Sequence, residues 1–111
     1  MSEQVLCKVS ELPAIGQMRR IVHHGSPLCV ANEDGAIAVL DDVCTHDCAT
    51  SLADGEICAG RILCPRHGWA FDLRTGELPH LPSRSVQVYQ ITIEADEVKL
   101  LEFKPERRDE A

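Results

Sequence analysis

Two short segments in the middle of the sequence carry residues that bind metals. The first is Cys44-Thr45-His46 and the second is Cys64-Pro65-Arg66-His67, with seventeen residues between His46 and Cys64. Each offers one thiolate and one imidazole, so two loops closing from opposite sides would present two sulfur and two nitrogen donors. Such a set suits either of two chemistries. One is a tetrahedral zinc site, usually built as Cys-x2–4-Cys followed by His-x3–5-His. The other is a [2Fe–2S] cluster with two cysteines on one iron and two histidines on the other. Zinc modules group both cysteines in one pair, whereas here cysteine and histidine alternate along the chain, and that order favours the cluster.

The longer string Cys64-Pro65-Arg66-His67-Gly68-Trp69, the continuation Ala-Phe-Asp-Leu-Arg-Thr-Gly over 70–76, and a proline loop at Pro79-His80-Leu81-Pro82-Ser83 extend the pattern. Together with Cys44-Thr45-His46 they resemble the Rieske signature, and the likeness covers essentially the whole chain. It implies an all-β Rieske fold, an antiparallel basal β-sandwich or barrel with an inserted loop-rich cluster-binding subdomain. It also implies one [2Fe–2S] cluster, with Cys44 and Cys64 on the inner iron. His46 and His67 would hold the outer iron near the surface. Neutral histidines lower the negative charge on such a cluster. Potentials in this class therefore run from about −150 to +300 mV, against roughly −400 mV for plant-type ferredoxins.

Departures from the respiratory members of that family narrow the expectation. Those proteins carry a disulfide between the ligand loops, but Arg66 stands where the second loop would need its cysteine. They also place a serine and a tyrosine hydroxyl near the cluster, where this chain has Trp69 and Phe71. Fewer donors leave the reduced cluster less stabilised, so a low potential within the Rieske range is expected. The resemblance points to the soluble ferredoxins of multicomponent aromatic-ring oxygenases. A flavin-containing, NAD(P)H-dependent ferredoxin reductase would supply electrons singly and a terminal oxygenase would consume them. The chain itself would be a carrier and not an enzyme, since 111 residues leave no room for an oxygenase's catalytic domain. The alternatives are the small subunit of an assimilatory nitrite reductase and a structural zinc module.

The elements that must position these residues read as short strands with turn punctuation. Strands are expected over Gln4–Val9, Gln17–His23, Pro27–Asn32 and Ala36–Asp41, then at Glu56–Ala59, Arg61–Cys64 and Ala70–Asp72, and finally over Ser85–Ile93 and Val98–Phe103. No helix longer than about two turns is expected from periodicity. In the stretch after Ser85, Val86 and Val88 share one parity while Tyr89, Ile91 and Ile93 share the other. A single strand face cannot hold both sets, which requires a bulge near Val88 or burial on both faces. The reading is one Rieske domain over 1–111. Its basal part covers about 1–41 and 85–103, its cluster-binding part about 42–84, and a charged tail 104–111.

A net charge of −7 argues against nucleic acid as a partner, because phosphate binding needs a concentrated basic surface. No stretch is apolar for long enough to span a bilayer, and Met1-Ser2-Glu3-Gln4 lacks the pattern of a signal peptide. The expected location is the cytoplasm, where six cysteines are better read as metal ligands and buried thiols than as three disulfides. Cys7, Cys29 and Cys58 fall in strands and are expected to be buried, and Cys48 to be a thiol packed in its loop. His23 and His24 are expected at the surface, and His80 in the exposed proline loop. Trp69 is expected to pack the second ligand loop onto the base. Arg66, inside a ligand loop, is the best candidate among Arg61, Arg66, Arg74 and Arg84 for meeting a partner.

Overall fold

A computed structural model describes residues 4–43, 51–65, 69–78 and 85–101. The strands in chain order are β1 (Gln4–Lys8), β2 (Met18–His23), β3 (Ser26–Glu33), β4 (Ala36–Asp41), β5 (Glu56–Cys58), β6 (Arg61–Leu63), β7 (Ala70–Asp72), β8 (Val88–Tyr89), β9 (Ile91–Glu94) and β10 (Glu97–Leu100). They form three antiparallel sheets with strand orders β1-β10-β9, β2-β3-β4-β8 and β5-β6-β7. Among the described residues the helical structure is limited to two 3₁₀ turns, Val9–Glu11 and Leu52–Asp54.

The β2-β3-β4-β8 sheet lies in the middle, and the residues of β3 show why. Leu28, Cys29, Val30 and Ala31 are each fully buried, which is the continuous apolar run of a strand covered on both faces. Leu28 and Val30 join Val39, Tyr89, Leu6, Cys7, Val98 and Leu100 in one core, against the β1-β10-β9 sheet. Cys29 and Ala31 join Leu40, Leu52, Ile62, Cys64 and Phe71 in the other, against the β5-β6-β7 sheet. Strand alternation thus sends successive side chains to different cores.

The parity conflict after Ser85 has the same origin. Val86 belongs to the β5-β6-β7 side and Val88 packs against it, while Tyr89 and Ile91 serve the other core. β8 is covered on both faces, as one of the expected arrangements had it, but the single strand expected over Ser85–Ile93 is two strands, and Ile93 is exposed. The chain then changes sheets at Gln90, leaving β4 (Val39↔Tyr89) to pair with β10 (Leu100↔Ile91). The Gln90 carbonyl accepts a bond of 3.0 Å from the Leu101 amide across that corner. A register shift does occur in β1, where Val5 pairs with Lys99 and Cys7 with Val98, leaving Leu6 as an extra residue. The bulge turns Leu6 and Cys7 both inward.

His23 departs from its expected surface position. It is buried at the end of β2, and its Nε2 lies 2.9 Å from the Gln4 Oε1 of β1, tying two sheets together. Burial lowers its pKa from the usual 6.5. His24 remains exposed in the turn, its φ at 50°.

Gly76 marks a close approach between segments. Its φ is 74°, and a Cβ there would lie 2.2 Å from the Val86 carbonyl oxygen, whose own amide donates to the Gly76 carbonyl at 2.9 Å. Gly76→Ala is expected to cost about 2–4 kcal/mol in urea unfolding, from the left-handed backbone and the crowding together. His23 makes a pH-dependent contribution. Its folded pKa is depressed, so the stability it confers is present above about pH 6.5 and is lost as pH falls through the lower folded-state value. His23→Gln is expected to flatten the decline of the urea midpoint between about pH 7 and 5.

Candidate metal centre

The second ligand segment grows from the β6–β7 hairpin. Leu63 and Ala70 form the last strand pair, and the Cys64 amide donates to the Trp69 carbonyl at 2.9 Å. The backbone between them is therefore a loop closed at its root. Cys64 stands at that root, 2% exposed, in the core with Leu52, Ile62 and Phe71. Trp69 packs against the same core, with its ring 6.4 Å from that of Phe71. That is the expected role of packing the loop onto the base. A hollow of about 310 Å³ lies beside Cys64, lined by Asp54, Gly55, Glu56, Leu63, Cys64 and Pro65.

The first ligand segment leaves β4 and returns at the Leu52–Asp54 turn. Asp42, whose side chain is fully buried, accepts from the Ser51 hydroxyl and, through Oδ1, from the Ala53 amide at 2.7 Å. Its Oδ2 also lies 3.3 Å from the Nε of half-exposed Arg20, and its amide donates to the Pro27 carbonyl at 3.0 Å. Asp41, beside it, accepts from the Tyr89 hydroxyl at 2.7 Å. The returning chain passes Gly55, where a Cβ would sit 1.9 Å from the Leu63 carbonyl and 3.2 Å from Pro65 Cδ. Only a residue without a side chain lets the foot of the first loop rest on the foot of the second.

The proline loop has its feet in the same place. The Leu78 amide donates to the Ser85 hydroxyl at 3.2 Å, and Leu78 and Val86 both belong to the core that contains Cys64. Before it, the Asp72 carboxylate accepts from the Arg74 and Thr75 amides at 2.7 and 3.1 Å. The Arg74 amide bond is the main cause that holds its pKa below the usual value.

Of the four expected ligands, Cys64 is described by the structure, while Cys44, His46 and His67 lie outside the described residues, as do Cys48, Arg66, His80, Arg84 and the tail from Lys104. What the structure brings together is the set of loop feet: Asp42 and Ser51 for the first segment, Cys64 and Trp69 for the second, Leu78 and Ser85 for the third. A buried thiol at the root of a closed loop, against the foot of a second Cys/His segment, fits a two-sulfur, two-nitrogen centre. Cys7 and Cys29 are buried as expected, and burial raises both thiol pKa values. Cys58 is exposed, contrary to expectation, because in three-residue β5 it is Ile57 that turns toward the core. Asp42 and Gly55 escaped the sequence reading. The signal for Asp42 was an aspartate just after an apolar strand and two residues before Cys44.

Comparison with known proteins agrees. The Rieske [2Fe–2S] domain matches residues 2–90. The chain belongs to that family, with its all-β fold and a single Rieske-type [2Fe–2S] cluster as cofactor. Mouse (Mus musculus) apoptosis-inducing factor 3 is 31% identical over 99 residues, 88% of this chain, which spans only 16% of that relative's length. The biphenyl dioxygenase ferredoxin subunit of Pseudomonas sp. strain KKS102 is 32% identical over 99 residues, 87% of this chain and 88% of that subunit. Among solved structures, the Sphingomonas yanoikuyae B1 ferredoxin superposes with a TM-score of 0.79 at 31% identity, covering 92% of this chain and all of that one. A chain from the complex of reduced oxygenase and oxidised ferredoxin in carbazole 1,9a-dioxygenase gives 0.75 at 27%, covering 92% and 97%. A nitrite reductase small subunit from Mycobacterium tuberculosis gives 0.78 at 18%, covering 93% and 96%, which is a likeness of fold alone.

The exposure pattern predicts thiol reactivity. In the native protein, Cys58 is expected to react with a disulfide reagent such as DTNB while Cys7 and Cys29 stay protected. Cys58→Ser should then abolish one fast equivalent in the absorbance trace.

Proposed function

We propose that this chain is a one-electron carrier that takes electrons from a flavin-containing, NAD(P)H-dependent ferredoxin reductase and delivers them to a terminal aromatic-ring oxygenase. The observation that carries the reading is reciprocal coverage. The chain matches a dioxygenase ferredoxin subunit over 87% of itself and 88% of that subunit, so the likeness spans most of both sequences. A longer relative such as apoptosis-inducing factor 3 contains the same domain as a minor part. The nitrite reductase alternative has fold likeness behind it, at 18% identity.

In this reading the ligands are Cys44, His46, Cys64 and His67. When bound, the cluster accepts and releases one electron at a potential set by its ligands and their surroundings. The protein's part is positional. Cys64, at the buried hairpin root, would hold the inner iron, and His46 and His67 would hold the iron that meets the partner. Trp69 and Phe71 seal the loop with apolar surface and offer no hydroxyl. The single Rieske domain and a cytoplasmic location belong to the same reading. Among the described residues no helix is long and apolar enough to cross a membrane.

Three results are expected. Dithionite reduction should give the rhombic EPR signal of a mixed histidine/cysteine [2Fe–2S] centre, and Cys64→Ser should abolish it. A redox titration should place the midpoint below about +100 mV, in the lower part of the Rieske range. Reconstitution with reductase and oxygenase should couple NAD(P)H oxidation to product, with Arg66→Glu slowing delivery at low ionic strength and losing its effect at high salt. A colourless protein with stoichiometric zinc would defeat the proposal.

A further inference from the structure

Asp42 is the one fully buried carboxylate side chain that the structure shows joining the two feet of a ligand segment. It sits two residues before Cys44, and its acceptors reach Ser51 and Ala53, just beyond the segment's other end. Both of its oxygens are engaged from the protein side, one by the Ala53 amide and the other by the Ser51 hydroxyl and the Arg20 Nε. A carboxylate excluded from water is retained only where such partners hold it. Without them no side-chain hydrogen bond that the structure shows would join the two ends of this stretch.

We infer that Asp42 is the positioning residue of the cluster. It ties together the two ends of the segment that carries Cys44 and His46, and its buried negative charge contributes to a low potential. The inference rests on the proposed ligands Cys44 and His46. Asp42 precedes Cys44 by two residues, and two residues of extended chain span at most about 7 Å. A fixed anion at that range, in a poorly screened interior, disfavours the added electron. Arg20 offsets this in part, but its side chain is 53% exposed and water screens it. Clasp and charge are separable. Asn in place of Asp keeps an acceptor for the Ala53 amide and a polar contact for Ser51 while removing the charge. Removing the Ser51 hydroxyl opens the clasp while keeping the charge.

The test uses the purified cluster-loaded protein and its Asp42→Asn, Asp42→Ala and Ser51→Ala variants. The measurements are iron content, EPR line shape, midpoint potential and the rate at which visible absorbance is lost to a chelator. Asp42→Asn is expected to keep its iron and line shape with a midpoint above that of the unmodified protein. Ser51→Ala is expected to bleach about tenfold faster, with Asp42→Ala faster still or devoid of cluster. Should Asp42→Ala fail to fold, the two milder variants still decide the matter. An unchanged midpoint in Asp42→Asn, or unmodified bleaching in Ser51→Ala, overturns the inference. Absence of the rhombic signal from the unmodified protein would defeat the four-ligand reading and this inference with it. That failure is read from the parent spectrum alone, apart from any difference among the variants.

Discussion

The middle of β3 has no solvent on either side. Four consecutive residues, Leu28 to Ala31, are fully buried, and alternation along the strand hands them in turn to two separate cores. The whole molecule is organised by that constraint. A strand with two dry faces needs a covering layer on each, and 111 residues supply both by dividing the work. The two ends of the chain build one cover, β1-β10-β9, and the middle builds the other, β5-β6-β7. The segment that carries Cys64 joins two strands of the second cover, and the Cys44 segment runs from β4 of the middle sheet toward it. Burying a side chain such as Leu28 or Leu40 is worth roughly 1.5–3 kcal/mol. The segment that carries Cys64 is therefore anchored by the apolar core it shares with Leu40, Leu52 and Ile62.

Onto that base the loops are fastened by contacts that tolerate little change. Gly55 against the Leu63 carbonyl and Gly76 against Val86 set how closely segments approach. Asp42 and Cys64 fix one foot of each ligand loop by hydrogen bonds to residues beyond the loop. Rigid feet beneath short loops suit an electron carrier.

Much of this was legible from residue types. The strands from Gln4 to Asp41 and the hairpins carrying Cys64 could be read because apolar runs were bounded by turn residues such as Asp34-Gly35. The histidine/cysteine alternation could be read because ligand chemistry depends on residue type. The parity of Val86, Val88, Tyr89 and Ile91 gave away a strand serving two faces, though not the change of sheet at Gln90, which depends on where β10 lies. Other features left no local trace. His24-Gly25 and Ala95-Asp96 form two-residue turns with positive φ at both positions, but neither has the Asn-Gly signature. The burial of His23 depends on Gln4, nineteen positions away. The exposure of Cys58 follows from which residue of a three-residue strand faces inward, and that pattern is too short for its parity to be read. Asp42 looked like an ordinary acidic strand end because its partners lie across the very loop it ties.

The closing of the outer sheet by the chain's two ends carries a consequence for how the molecule opens. Gln4 pairs with Leu100, and nearly the full length of the chain lies between them. Contacts between distant residues bring no return until the intervening loop has closed, so β1 and β10 are poor places for folding to begin. The β2-β3-β4 meander, joined by two-residue turns, is the better starting point. The order can be run backwards as well. Were the outer sheet to open first, amide hydrogens of β1 would exchange with solvent sooner than those of β3. In such a partly opened molecule the layer that carries the ligand loops keeps its own half of the interior. The chain's ends work as a belt that can loosen without loosening what it surrounds.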